Sequence, residues 1–339
     1  MIGRIYRLMD TKRIEMKQRE IDFNGDIVLV KPDYMTICAA DQRYYLGRRK
    51  PEILKKKLPM ALIHEATGVV LRDFGGRYPE GTKVVLVPLE PAGGKSAVKE
   101  NYRQESKYAS SGEDGFMRDL VALPSDRVIP IDGEYYITYV FSEVLSVALG
   151  AVSAFEAARR TPADVFGIWG DGGMGYVTAL AIHCRYPDAK IFVFGKTSRK
   201  LQKFSFTSRT FYIDQTPRDI AVNHAFECVG STGSEDAINQ IVDIIDPQGV
   251  VSLIGVSEEP VSINTRRILE KGLAIIGNNR SDGNDFKEAV ALIKNSDICQ
   301  KYLRMMISDI VEVKKESDIS YAFEQDLLND FKTVIKWAI

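Results

Sequence analysis

Short apolar runs alternate with amphipathic segments through the second half of the chain. The apolar runs at 165–169, 190–194, 224–229 and 250–255 have the length of buried strands, and each ends at or beside a glycine. An amphipathic run at 176–184 follows the first of them. Strands that alternate with helical segments predict an α/β fold with a doubly wound parallel (Rossmann) sheet, and ligands bind at the carboxyl ends of such strands.

Three glycines follow the first strand, at Gly170, Gly172 and Gly175, in the spacing GxGxxG. We call Gly170–Gly175 the glycine turn. In a dinucleotide site the first glycine allows a tight turn, the second lets the backbone approach a pyrophosphate, and the third lets helix and strand pack closely. An ordinary strand-to-helix turn can share this spacing, but the neighbouring strands favour the dinucleotide site.

The first part of the chain has a different pattern. Short alternating segments at Gly3–Leu8 and Asp26–Pro32, and apolar runs at 80–88 and 115–124, predict strands of a β-rich domain. A mostly apolar helical run at Tyr139–Ala158 follows, with Glu143 in its first turns. A glutamate in so apolar a segment needs a partner or an exposed position.

The segments after residue 280 are again short and mixed, so we assign them to the first domain. The predicted organisation is a discontinuous β-rich domain, residues 1–148 and 281–339, around a dinucleotide-binding domain, residues 149–280. A length of 339 residues suits two domains.

Charge and cysteine content limit the kinds of partner and the cellular compartment that we expect for the protein. The chain has 45 basic and 46 acidic residues and a net charge of −1, which argues against a nucleic-acid partner. Its four cysteines are scattered, as is typical of a reducing compartment. The N-terminal segment has neither the apolar core of a signal peptide nor the length of a membrane span. We expect a cytoplasmic protein without a membrane partner.

Four side chains of the first domain are candidate metal ligands: Cys38, His64, Glu65 and Glu143. Thiolate, imidazole and carboxylate are the ligand types that zinc accepts, and catalytic zinc sites gather them from distant loops. The spacing is not that of a zinc finger. A buried structural cysteine, a hydrogen-bonded histidine and a surface glutamate explain the same residues, so the residues alone leave both interpretations open.

Several landmarks in order resemble the zinc-dependent medium-chain dehydrogenase/reductases along nearly the whole chain. Residues 38–41 are similar to the Cys-Gly-Thr-Asp ligand loop of that family, and residues 63–68 to its Gly-His-Glu-x-x-Gly segment. Residues 143–148 resemble the Glu-Pro-Leu-Ser-Val stretch of the polyol members, and residues 226–230 and 253–257 match later landmarks of the cofactor domain. The resemblance implies a GroES-like catalytic domain beside the Rossmann domain.

Within this superfamily the chain resembles the ribulose-5-phosphate reductases, which form ribitol 5-phosphate for teichoic-acid or capsule precursors. The resemblance lies in residues 37–45, 58–60, 63–65, 110–112, 114–117, 166–171 and 224–230. It implies that Cys38, His64, Glu65 and Glu143 are catalytic residues around one zinc ion. It also implies a sugar-phosphate substrate, a homodimer, and a cytidylyltransferase as the pathway partner that uses the product.

Three departures from the family pattern matter. Ala40 stands where most relatives carry a Ser or Thr whose hydroxyl helps to move the alcohol proton, so a hydroxyl relay through residue 40 is impossible. Residues 101–111 contain no cysteine, so we expect no second, structural zinc. Ile63 replaces the glycine before His-Glu, a change that we attribute to packing.

The end of the second strand of the cofactor domain indicates the cofactor. An NAD enzyme places Asp or Glu there for the ribose hydroxyls, whereas residues 195–200 contain no carboxylate and supply Lys196, Ser198 and Arg199. Cations and a hydroxyl suit the 2′-phosphate of NADP, which carries roughly −1.5 to −2 charges. We expect NADPH, and hence reduction. The same residues could also begin an ordinary solvated helix.

The expected reaction is reduction of ribulose 5-phosphate, with zinc polarising the C2 carbonyl and NADPH supplying hydride. With alanine at position 40, the proton must come from water or from Glu65. Arg43, Arg48 and Lys107 are candidates for binding the substrate phosphate, although each could be a plain surface charge. Two alternatives remain: an NAD-dependent polyol dehydrogenase, and a catalytically silent nucleotide-binding protein.

Overall fold

The chain forms two units in a computed structural model that describes residues 1–94, 96–217 and 219–339. Unit 1 comprises Met1–Ser146 and Ser281–Ile339, and unit 2 comprises Val147–Arg280. The helices of the described residues are α1 Ala39–Tyr45, α2 Pro51–Lys57, α3 Ser142–Ala158, α4 Gly173–Arg185, α5 Ser198–Leu201, α6 Ser234–Ile244, α7 Thr265–Lys271, α8 Gly283–Asn295, α9 Asp297–Arg304 and α10 Glu316–Asp326.

The strands, in chain order, are β1 Ile2–Asp10, β2 Arg13–Glu20, β3 Ile27–Thr36, β4 Glu65–Asp73, β5 Lys83–Leu86, β6 Leu89–Glu90, β7 Lys107–Tyr108, β8 Val121–Pro124, β9 Val128–Pro130, β10 Val165–Trp169, β11 Lys190–Gly195, β12 Arg209–Tyr212, β13 His224–Glu227, β14 Val250–Leu253, β15 Ala274–Gly277, β16 Ile307–Val313 and β17 Lys332–Trp337. Single 3-10 turns connect some of them.

Unit 2 contains a six-stranded parallel sheet in the order β12-β11-β10-β13-β14-β15. Numbered within the unit, this order is 3-2-1-4-5-6, the doubly wound arrangement whose ligand crevice lies at the carboxyl ends of the central strands. The sheet has buried aromatic packing, with the rings of Trp169 and Phe194 stacked at 4.1 Å between centroids. The prediction of a Rossmann-type α/β sheet is confirmed.

Unit 1 is β-rich. Its main sheet runs β16-β17-β3-β4-β5-β9, with β8 also paired to β3, and the hairpin β1-β2 and the short pair β6-β7 form two smaller sheets. Strand β17, near the end of the chain, pairs antiparallel with β3. The C-terminal strand therefore completes the sheet that contains β3 and β4, the two strands next to the candidate site.

One sequence-based prediction of a strand needs adjustment. The predicted strand at 115–124 is a strand only over Val121–Pro124, because the amides of Gly115 and Phe116 donate instead to the carbonyls of Ala61 and Ile63. The apolar segment Ile137–Ala158 is long and apolar enough to cross a membrane, but 83% of its most apolar window is buried within the protein. It behaves as a core helix, with Glu143 buried in its first turn.

Candidate functional site

Strand pairing brings three of the predicted ligands together in unit 1. Cys38 follows β3 and stands at the N-terminus of α1, while His64 immediately precedes β4 and Glu65 is its first residue. Because β3 and β4 are antiparallel with Thr36 opposite Glu65, the end of one strand lies beside the start of the other. One donor atom from each of Cys38, His64 and Glu65 lies within 4.8 Å of the others. We call these three residues the donor cluster.

A buried carboxylate, Asp41, supports His64. One oxygen of Asp41 accepts from the Cys38 amide at 3.1 Å, and the other accepts from the Ile63 amide at 3.1 Å and from the Ser110 hydroxyl. The Nδ1 atom of His64 lies 3.6 Å from Asp41 Oδ1. Burial alone would raise the pKa of Asp41, but the charge of His64 and these hydrogen bonds hold it below its usual range.

The electrostatics of His64 favour positive charge. Burial alone would lower the pKa of the imidazole, but Asp41 and Cys38 raise it well above its usual value. Asp41, 3.6 Å from Nδ1, is the first cause of this upward shift.

Glu65 is held by a lysine from the far end of the sequence. The Lys332 ammonium donates to both carboxylate oxygens, at 2.6 and 2.9 Å, and to the Ile37 carbonyl at 3.1 Å. The Thr36 hydroxyl also donates to Glu65. Lys332 is 8% exposed; burial alone would lower its pKa, but Glu65 and Cys38 raise it above the usual value. Glu65 is therefore fixed in position as one member of a buried ion pair.

Glu143 is buried nearby but does not belong to the donor cluster. Its Oε1 accepts from the Tyr108 hydroxyl at 2.5 Å, and the Tyr108 ring lies 5.6 Å from the His64 ring. Burial, and then the negative charge of Glu65, raise the pKa of Glu143 despite the opposing effect of His64. The structure therefore brings three of the four predicted ligands into one group and ties the fourth to a tyrosine.

The donor cluster fits a zinc ion by its chemistry. Thiolate, imidazole and carboxylate are zinc ligands, and the buried Nδ1 of His64, 3.6 Å from Asp41, has no hydrogen-bond partner among the described residues.

The glycine turn of unit 2 is built by close backbone contacts. Gly170 has φ +120°, and a Cβ at Gly175 would lie 1.9 Å from the Gly170 carbonyl oxygen. Gly172 is the residue before α4, so helix α4 begins directly at the turn. Side chains are thus excluded at the first and third glycines, as the dinucleotide-binding geometry requires.

Beside this turn, the segment after β11 carries Lys196, Ser198 and Arg199, all exposed. A carboxylate does lie next to them: Asp171 Oδ2 accepts from the amides of Lys196 and Thr197 at 2.8 and 2.6 Å. The segment itself contains no acidic residue, so this neighbour comes from the glycine turn.

Two of the three candidates for the substrate phosphate are neighbours, because the Arg48 amide donates to the Arg43 carbonyl at 2.8 Å. Arg43 is half-buried on α1, which begins directly after Cys38, and Arg48 is exposed just beyond that helix. Lys107 is exposed on β7 and lines a cavity of about 200 Å³ together with Arg118 and Glu113. Tyr108, which follows Lys107, is the partner of Glu143.

Two family models match parts of the chain. The family model described as "Alcohol dehydrogenase GroES-like domain" matches residues 24–133, and the one described as "Zinc-binding dehydrogenase" matches residues 212–295. L-idonate 5-dehydrogenase from Escherichia coli shares the fold, with a TM-score of 0.86, 18% identity, and coverage of 99% of this chain and 98% of that one. The fold and the site thus define a zinc-binding dehydrogenase of the medium-chain class.

Relatives of higher identity narrow the family. Ribulose-5-phosphate reductase 1 of Staphylococcus aureus is 45% identical over 99% of both chains, and the ribulose-5-phosphate reductase of Bacillus spizizenii is 42% identical over 100% of both. A crystal structure of S. aureus TarJ in complex with NADPH is 41% identical, with a TM-score of 0.89 and 100% coverage of both chains. The chain belongs to the ribulose-5-phosphate reductase family, which confirms the predicted resemblance and the prediction of an enzyme.

Three residues at the site were missed by sequence reasoning. Asp41 lies within the Cys-Ala-Ala-Asp segment and Asp171 within the glycine turn, so attention to carboxylates in those motifs could have found both. Lys332 had no such signal, because it lies 267 positions from its partner Glu65.

Proposed function

We propose that this protein reduces D-ribulose 5-phosphate to D-ribitol 5-phosphate with NADPH. NADPH gives a hydride to C2, the carbonyl oxygen gains a proton, and NADP⁺ leaves. The observation that carries the proposal is the donor cluster of Cys38, His64 and Glu65, found in a chain of the ribulose-5-phosphate reductase family. Unit 1 is proposed as the catalytic domain and unit 2 as the cofactor domain.

Cys38, His64 and Glu65 would hold a single zinc ion, with Glu143 as the fourth candidate ligand. When bound, zinc supplies Lewis-acid polarisation of a carbonyl oxygen and stabilises the negative charge that develops on it. The carboxylate of Asp41 faces the His64 ring at 3.6 Å, and Lys332 with Thr36 fixes the carboxylate of Glu65. These contacts preorganise the donors, so that less reorganisation is needed during reaction.

The proton source follows from two residues. Ala40 has no hydroxyl, so position 40 cannot relay a proton. Both oxygens of Glu65 accept from Lys332, and one of them also accepts from the Thr36 hydroxyl, so the carboxylate acts only as an acceptor toward these neighbours. We therefore favour water over Glu65 as the source.

NADPH is supported by the exposed Lys196, Ser198 and Arg199 after β11, and by the NADPH complex of the relative TarJ. The 2′-phosphate would meet two cations and a hydroxyl. Gly170, Gly172 and Gly175 would receive the pyrophosphate at the start of α4.

The remaining parts of the proposal concern partners. A homodimer is expected, since symmetric dimers are the commonest assemblies. The product would pass to a cytidylyltransferase that makes CDP-ribitol for wall teichoic acid or capsule, and the reaction would take place in the cytoplasm. Arg43, Arg48 and Lys107 are the candidate cations for the substrate phosphate.

The test is NADPH oxidation by the purified, zinc-loaded enzyme with ribulose 5-phosphate, ribulose and xylulose 5-phosphate. We expect turnover with ribulose 5-phosphate and a kcat/KM at least about tenfold lower with ribulose, because a charged hydrogen-bonding group is missing. Metal analysis should find about one zinc per chain. Cys38→Ser should lower both zinc content and rate by more than about 100-fold, whereas Cys184→Ser, which changes a half-buried thiol of unit 2, should leave both intact.

Two other results would contradict the proposal. Preference for NADH and for an unphosphorylated polyol would favour the polyol dehydrogenase alternative. Absence of both zinc and turnover in the wild type would favour the silent nucleotide-binding protein.

A further inference from the structure

The carboxylate of Asp171 joins two loops of unit 2. It belongs to the glycine turn after β10, and its Oδ2 accepts from the backbone amides of Lys196 and Thr197 at 2.8 and 2.6 Å. Both amides lie just past the end of β11. A single oxygen thus fixes the start of the segment Lys196–Arg199, which we call the cationic segment.

The backbone is shaped for this contact. Strands β10 and β11 are parallel neighbours with Trp169 opposite Phe194, and the Gly170 amide donates to the Phe194 carbonyl at 2.9 Å. A Cβ at Gly195 would lie 2.6 Å from the Cβ of Asp171 and 2.8 Å from its Oδ2. The two loops approach this closely only because residue 195 is a glycine.

The charge of Asp171 has two opposite consequences. The carboxylate would repel the 2′-phosphate of NADPH if it lay near that phosphate. Beside the ribose of NADH it would instead accept hydrogen bonds from the ribose hydroxyls, as in NAD enzymes. However, Oδ2 already accepts hydrogen bonds from two backbone amides. The same two bonds order the backbone that carries Lys196 and Arg199, and ordering before binding lowers the entropic cost of binding.

We propose that Asp171 is a positioning residue for cofactor specificity, which holds the cationic segment ready for the 2′-phosphate of NADPH. It acts through the backbone of residues 196 and 197 and does not itself contact the phosphate. The proposal rests on the NADPH preference in the proposed function. It predicts that removing this acidic side chain weakens NADPH binding, although simple charge repulsion predicts the reverse.

The experiment measures dissociation constants for NADPH and NADH by fluorescence titration, without sugar phosphate. In Asp171→Ala we expect the preference for NADPH over NADH to fall about tenfold, because two backbone hydrogen bonds are lost. Asp171→Asn retains an acceptor oxygen and should stay within about threefold of the wild type. Asp188→Ala, at an exposed turn before β11, is the matched control and should change neither constant.

If the charge of Asp171 acts directly on the cofactor, both Asp171 variants should show an increased preference for NADPH over NADH. That result would overturn the proposal and would favour a direct contact of Asp171 with the cofactor ribose. An unchanged preference in Asp171→Ala, in protein with a wild-type thermal midpoint, would also overturn it. If Asp171→Ala fails to fold, Asp171→Asn decides the question by the sign of its change: a rise above threefold overturns the proposal.

These outcomes are separable from failure of the proposed function. A wild type without NADPH preference removes the cofactor assignment and the Asp171 proposal together. A wild type that prefers NADPH but ignores ribulose 5-phosphate removes the substrate assignment and leaves the Asp171 result standing, because the titration contains no substrate.

Discussion

The donor cluster of unit 1 and the glycine turn of unit 2 are stabilised by different physical means. Around the donor cluster, buried charges hold one another: Lys332 pairs with Glu65 and Asp41 faces His64. Around the glycine turn, uncharged backbone atoms come so close that no side chain fits at Gly175. Removing a partner should therefore damage the first site most, whereas adding an atom should damage the second.

The largest effect is expected from Lys332→Met in unit 1. Removing one partner of a buried ion pair leaves the other charge unpaired and costs about 3–5 kcal/mol. The free energy of unfolding, from urea denaturation followed by circular dichroism, should fall by that amount. Lys336→Met is the matched control on the same strand, because Lys336 is exposed and pairs with Glu312 on the surface. Its cost should stay within about 1 kcal/mol.

Equal unfolding midpoints for Lys332→Met and the wild type would break the first half of the comparison. They would mean that Glu65 finds another partner, or that the ion pair contributes nothing beyond its own desolvation cost.

The difference between the two regions also explains what the sequence could predict. The α/β class and the glycine turn could be predicted because each depends on residues within about 30 positions of one another, as a dinucleotide motif does. The residues of the donor cluster were named as candidate ligands from their chemistry, and only the resemblance favoured zinc, since their spacing carries no signature of its own. The sequence did not identify Lys332 as a site residue, because its role depends on the pairing of β17 with β3, a contact between distant segments.

The contact of Asp171 with residues 196 and 197 was not predicted, for a related reason. Residues 195–200 contain no carboxylate, and that observation is correct, but the parallel pairing of β10 with β11 brings one from residue 171. The strand predicted at 115–124 failed similarly, because the amides at its start bond to the loop that precedes His64. In each case the local pattern was read correctly and a tertiary contact decided the outcome.

An intermediate effect is expected from Gly175→Ala in unit 2. The added methyl group would lie 1.9 Å from the Gly170 carbonyl oxygen, a backbone atom that can move only with the turn. Overpacking of this kind costs about 1–3 kcal/mol, measured as the free energy of unfolding. Gly172→Ala is the control, because a Cβ there meets nothing within 4 Å and the backbone has φ −83°. Equal losses in both variants would show that helix entry, and not the close approach, determines the cost.

The smallest effect concerns His224, which is buried in unit 2 and forms no salt bridge with the residues that the structure describes. Its Nδ1 accepts from the Val250 amide at 3.1 Å and its Nε2 lies 2.9 Å from the Pro162 carbonyl, which fits a neutral ring protonated on Nε2. Burial lowers its pKa, although the contact with Pro162 opposes the shift. A lowered pKa in the folded state means stability that is present above the unfolded pKa of about 6.5 and is lost as the pH falls below it.

The raised pKa of His64 acts in the opposite direction in both proteins, so the prediction concerns their difference. His224→Gln should be less stable than the wild type at pH 7, and this difference should shrink from about pH 7 to pH 5. His183→Gln is the control, since His183 is half-buried on α4 and its pKa is also lowered by burial, but it lies outside the β13–β14 contact. The pH dependence of the free energy of unfolding of His183→Gln should be closer to that of the wild type. Parallel profiles for His224→Gln and the wild type would mean that the buried ring accepts a proton at little cost, so that unit 2, like unit 1, tolerates a charge in its interior.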